Sequence, residues 1–148
     1  MYDKNYEDFE VGQVFEHRPA KTITESDNNL FCLVTWNRQP LHSDAEYAAE
    51  HRADGQRVVC GPYVFSLAIG MSVPEVSGTA LAALNYTDVV HMLPVHIGDT
   101  VRCATEVLEM RVTRNGKGII KVRSEMFNQH DETVLLLTRE IMLPRRTV

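Results

Sequence analysis

The segment Gly61-Pro62-Tyr63-Val64-Phe65-Ser66-Leu67-Ala68-Ile69-Gly70-Met71-Ser72-Val73-Pro74 constrains the fold of this chain more than any other. Pro62 suits the first turn of a helix, where no N–H is needed, and Pro74 stops one. Between them Val64, Phe65, Leu67, Ala68, Ile69, Met71 and Val73 leave hardly any polar face. A helix over 61–73 with this pattern is expected to be buried all round, so something must surround it. The rest of the chain offers a sheet. From residue 80 onward the pattern is strands only, over 80–90, 100–112, 119–127 and 133–143, with turn signals at Asn115-Gly116 and Gln129-His130-Asp131. Ile120, Val122, Ser124 and Met126 alternate with Lys121, Arg123 and Glu125, a period of two that puts one sheet face on the core. Along 100–112 the apolar set changes phase, from Val101, Cys103 and Val107 to Leu108, Met110 and Val112, which predicts a bulge.

The first half adds one strand and further helices. A strand is expected over 14–23. Thr24 and Asp27 have capping-box spacing for a helix over 24–36 whose apolar face is Leu30, Phe31, Leu33 and Val34. A short helix is expected to open at His42-Ser43-Asp44, run through Ala45, Tyr47, Ala48 and Ala49, and stop at Asp54-Gly55. One apolar helix with about five antiparallel strands is an α+β arrangement in which the sheet wraps the helix. Its edge strands are expected to pair across a two-fold axis, giving at least a homodimer.

A chain of 148 residues fits one domain, 1–148, and can bury roughly two thirds of its unfolded surface without a metal or a disulfide. Fifteen basic and 20 acidic residues give a net charge of −5, spread without a basic stripe, so nucleic acid is not an expected partner. Cys32, Cys60 and Cys103 are odd in number and lack metal-ligand spacing, which fits reduced, buried thiols. The N-terminus lacks the pattern of a signal peptide, and no apolar run approaches the roughly 18 residues of a membrane span; a cytoplasmic protein is expected.

The chemistry concentrates in Asn37-Arg38-Gln39-Pro40-Leu41-His42-Ser43-Asp44, followed by Val58-Val59-Cys60-Gly61-Pro62 at the start of the apolar helix. His42 is the candidate acid/base, since imidazole donates or accepts a proton near neutral pH. A helix start can stabilise an oxyanion through its free N–H groups; Pro62 has none, so Gly61 is the candidate donor, with Cys60 beside it. The alternative is that Cys60-Gly61-Pro62 only begins a helix. Asn37 can hold a water but cannot take its proton, and it equally suits a turn before Pro40. Asp44 lies two residues from His42, so on a helix the two side chains diverge and capping explains it better. Asp27 likewise reads as a helix N-terminal charge, while Glu25 is the other carboxylate within reach of the loop.

This run resembles the Asp-x-Asn-Pro-x-His motif of the MaoC-like dehydratases and (R)-specific enoyl-CoA hydratases. Asn37 stands at the Asp of that pattern, Gln39 at its Asn and His42 at its His. Leu93-Pro94-Val95-His96-Ile97-Gly98-Asp99-Thr100 is similar to the Pro-Val-x-x-Gly-Asp-Thr turn of the same family, and the resemblance runs over 7–143. It implies a hot-dog fold, a curved antiparallel sheet wrapped around a buried central helix, as a homodimer or higher homo-oligomer. It implies an acyl-CoA thioester substrate, no dissociable cofactor and no metal, and reversible addition of water to a short 2-enoyl-CoA. In that reading His42 is the acid/base, Asn37 orients the water, and Gly61 with Cys60 meets the thioester oxygen. The Asn-for-Asp exchange and the Thr35-Trp36-Asn37 context look more like the mesaconyl-CoA and β-methylmalyl-CoA hydratase branch, implying a short, branched or dicarboxylic acyl group. The rivals are a hot-dog thioesterase, which generally needs a carboxylate that 61–73 lacks, and a non-catalytic acyl-CoA-binding protein that keeps the loop for binding.

Overall fold

The computed structural model describes residues 2–146. Five strands, β1 (Val14–Thr22), β2 (Ala82–His91), β3 (Thr100–Val112), β4 (Gly118–Phe127) and β5 (Thr133–Leu143), form one antiparallel sheet in the order β1-β3-β4-β5-β2. The alternation read from β4 holds: Ile120, Val122, Ser124 and Met126 are buried while Arg123 is exposed. Gly116, at φ +74°, lets the β3–β4 hairpin close, with the Thr113 N–H donating to the Lys117 carbonyl at 2.8 Å. The bulge expected in β3 falls between Val107 and Glu109, where the register with β4 slips.

Helix α1 (Glu25–Val34) begins with the capping box its sequence announces: the Thr24 hydroxyl accepts the Asp27 N–H at 3.2 Å, and Asp27 accepts the Thr24 N–H at 2.8 Å. It stops before residue 36, because Trp36 takes a left-handed conformation at φ +60°. Its expected apolar face is not a buried one. Leu30, Leu33 and Val34 are 60%, 71% and 70% exposed, whereas Asn28 and Cys32 are buried. Asn28 can occupy the interior because its amide is hydrogen-bonded there on both sides. The single helix expected after His42 is two: α2 (Pro40–Ser43) and α3 (Ala45–His51), separated by Asp44. Asp44 is extended, which ends α2, and its carboxylate accepts the Tyr47 N–H at 2.9 Å, which starts α3.

Helix α4 (Gly61–Ser72) lies against β1, β3, β4 and β5 and runs on into a π-helical turn, Val73–Ser77, that contains Pro74. Val64 and Ala68 join Ile23, Val101, Met126 and Leu137 in the core. This is the α+β hot-dog arrangement, a sheet wrapped around one helix. Burial all round does not hold within one chain: Val64, Ala68 and Ser72 are buried, but Pro62, Ser66 and Gly70 face outward. One sheet covers one side of a cylinder, and an apolar pattern does not say which molecule covers the other. Strand β2 is an edge and carries exposed Leu84, Tyr86, Val89 and Val90. All three cysteines are free and buried, and burial pushes the Cys103 thiol up to about 12. No helix among the described residues is long and apolar enough to cross a membrane.

Candidate active site

Backbone pairing brings the loop after α1 to the start of α4. The Val58 N–H donates to the Leu41 carbonyl at 3.2 Å, the Val59 N–H to the Val95 carbonyl at 2.8 Å, and Val58 bridges to His96. Val58 thereby sits between α2 and the turn before β3, and its carbonyl meets His42 Nδ1 at 2.8 Å. A carbonyl only accepts, so Nδ1 carries the proton in the neutral ring and Nε2 keeps its lone pair. His42 and Gly61, 19 positions apart in sequence, line one cavity of about 270 Å³ with Val58, Val59, Val64 and His91. A larger depression of about 530 Å³ runs along β1 and β3, but its lining includes no residue of the loop or of the α4 start. Chemistry, not size, marks the smaller one.

Asn28 holds this geometry. Fully buried, it donates from Nδ2 to the His42 carbonyl at 2.9 Å and accepts the Cys60 N–H on Oδ1 at 2.9 Å. One side chain on α1 thus ties the His42 segment to the start of α4. Sequence reading passed over it in favour of the apolar residues around it. The available signal was Asn28 one turn before Cys32, a polar residue sharing the face that packs inward.

The other candidates are placed differently. Asn37 does not line the His42 cavity: its Nδ2 donates to Cys60 Sγ at 3.1 Å and its Oδ1 accepts the Gln39 N–H at 3.1 Å, which is the geometry of a turn residue. Cys60 is fully buried with its N–H engaged by Asn28, so at the helix start it is Gly61 whose N–H finds no acceptor among the described residues. Glu25 pairs with Arg57 at 2.8 Å. Lys21 at 2.8 Å and the Thr24 N–H hold the Asp27 carboxyl down at about 2, so Asp27 is a charged cap. Gly98 turns at φ +97°, and Asp99 accepts the His96 N–H at 2.8 Å. The group not anticipated at the site is His91, at the end of β2, whose ring lies over Gly61.

The family described as MaoC like domain matches residues 8–126. A β-methylmalyl-CoA dehydratase from Chloroflexus aurantiacus is 32% identical over 142 residues, 95% of this chain and 40% of that protein. A mesaconyl-CoA hydratase from Cereibacter sphaeroides is 31% identical over 144 residues, 95% of this chain and 41% of that protein. The chain therefore spans about two fifths of the length of these curated relatives. A solved Mycobacterium tuberculosis protein described as a double hot-dog fold superposes with a TM-score of 0.90 at 25% identity, covering 97% of this chain and 44% of that one. With the family's pattern matched over most of the sequence and its fold matched in space, the chain belongs to the MaoC-like domain family.

Proposed function

We propose that the chain is a hydro-lyase that reversibly adds water to a short 2-enoyl-CoA. The observation that carries this reading is the convergence of His42 and the Gly61 N–H on one cavity. In the hydration direction His42 Nε2 takes a proton from water as the water oxygen bonds to C3. The C2=C3 π electrons shift toward C2 and the thioester oxygen, where the Gly61 N–H stabilises the enolate. The imidazolium then returns its proton to C2, the carbonyl re-forms, and one water has been added. Both tasks are met by side chain and backbone, so CoA enters only as part of the substrate. Asn37, Cys60 and Asn28 act by fixing the loop to the helix start.

A short acyl group fits a cavity of about 270 Å³, just below the roughly 300–1,000 Å³ typical of ligand pockets, and the two relatives named for β-methylmalyl-CoA and mesaconyl-CoA point to a branched or dicarboxylic one. Free, buried thiols fit a cytoplasmic location. The test is absorbance at the enoyl-thioester band with a panel of short 2-enoyl-CoAs. Loss of conjugation without thiol release is expected; thiol release would indicate a thioesterase, and binding without either change a non-catalytic binder.

The working unit we infer is a homodimer. The outer edge of β2 has no strand beside it among the described residues and carries exposed Leu84, Val89 and Val90, so a second copy pairing edge to edge would cover apolar side chains there. Sedimentation should show a dimer at micromolar concentration. Val90→Lys should raise its dissociation constant roughly 30-fold or more, corresponding to about 2 kcal/mol. A wild-type monomer under those conditions would refute the interface.

A further inference from the structure

We propose that His91 is a further catalytic residue, donating from Nε2 the second hydrogen bond of the oxyanion site to the thioester oxygen that the Gly61 N–H also holds. This rests on the hydration reading above. The start of α4 is short of donors. Pro62 has no N–H, the Cys60 N–H is engaged by Asn28, and the Tyr63 and Val64 N–H groups both donate to the Cys60 carbonyl, at 2.9 and 3.3 Å. Gly61 alone is left, whereas a developing oxyanion is held best by more than one donor.

His91 stands where the second donor is needed. Its Nε2 and Cε1 lie 3.1 Å from where a Cβ on Gly61 would sit. Standard backbone geometry then places Nε2 within about 5.5 Å of the Gly61 nitrogen. Two N–H donors each about 2.9 Å from one oxygen can be up to about 5.8 Å apart, so both can reach the same atom. Neither ring nitrogen of His91 has a hydrogen-bond partner among the described residues, although the ring lines the cavity that holds His42.

The strand is built to aim it there. Tyr86 faces α4, its ring 5.2 Å from that of Phe65, and His91 faces Gly61, yet the two residues are an odd number apart. In a regular strand they would point to opposite faces. Between Thr87 and Val90 the β2–β5 register slips by one residue, with Asp88 at φ +51°, and that bulge turns His91 to the helix side. His91 keeps an exposed side in the single chain, and partial desolvation beside the helix start lowers its pKa, which favours the neutral imidazole. A neutral imidazole still offers an N–H to an enolate oxygen, as other enolising sites use it.

His91→Phe keeps a ring and removes the donor; His91→Gln keeps an N–H. In the wild type the carbonyl stretch of bound [1-13C]butyryl-CoA, an unreactive saturated thioester, should move to lower frequency than in solution. His91→Phe should lose part of that shift and lower kcat roughly 100-fold, the scale of one oxyanion donor, with KM changed less than about threefold. His91→Gln should recover part of both. If the wild type hydrates an enoyl-CoA while His91→Phe keeps the full carbonyl shift and near wild-type kcat, the assignment is wrong and the hydration reading stands. A rise in KM alone would make His91 a CoA contact and also overturn it. A wild type that neither hydrates nor shifts the carbonyl would bring down the hydration reading, and this inference with it.

Discussion

Under the proposed hydration, replacing His42 with alanine is expected to lower turnover of a 2-enoyl-CoA by roughly two to four orders of magnitude, the range for a lost general acid/base. The loss falls on kcat, because Nε2 acts only when the proton moves. Folding should change little: the ring is half-buried, and its loss costs one hydrogen bond to the Val58 carbonyl. His42→Gln can still donate to that carbonyl but cannot carry the proton, so it should restore stability and leave turnover low. Steady-state kinetics beside urea unfolding separates the two effects. Near wild-type turnover in a folded His42→Ala protein would remove His42 from the mechanism.

Asn28→Leu should have the largest combined effect. The change preserves approximate volume but leaves the His42 carbonyl and the Cys60 N–H without their buried partner. Each orphaned group costs about 1–3 kcal/mol, so a loss of roughly 2–6 kcal/mol is expected, a large share of a typical total stability of about 5–15 kcal/mol. Turnover should fall as well, by roughly tenfold or more in the protein that stays folded, because a displacement near 1 Å between acid/base and oxyanion donor is costly. Asn28→Asp should fall between: a carboxylate still accepts the Cys60 N–H but cannot donate to the His42 carbonyl. A urea midpoint and kcat both unchanged in Asn28→Leu would show that α1 does not set the geometry of the site.

His42 and Gly61 could be picked out in the sequence by local chemistry, an imidazole beside a Pro-containing loop and a glycine before a proline that has no N–H, and the structure brings both to one cavity. Asn37 was legible as two alternatives. The structure gives the turn geometry, because the Gln39 N–H and the Cys60 thiol already engage its carboxamide. Asn28 and His91 could not be read in advance. Asn28 bonds to groups 14 and 32 residues away, and His91 is aimed by a one-residue register slip against β5. Both facts exist only once distant segments are in contact.

The same division runs through the fold. Residue periodicity, capping residues and turn chemistry are properties of a few neighbouring positions, so the order of strands and helices, the Thr24–Asp27 cap, the β3–β4 hairpin and the bulge at Val107 follow from the chain alone. Which apolar faces are buried does not. Leu30, Leu33 and Val34 stay exposed while Asn28 goes inside, and α4 keeps Pro62, Ser66 and Gly70 uncovered. Burial is settled by which surfaces meet in three dimensions and whether each buried polar group finds a partner there, and only the tertiary structure decides that.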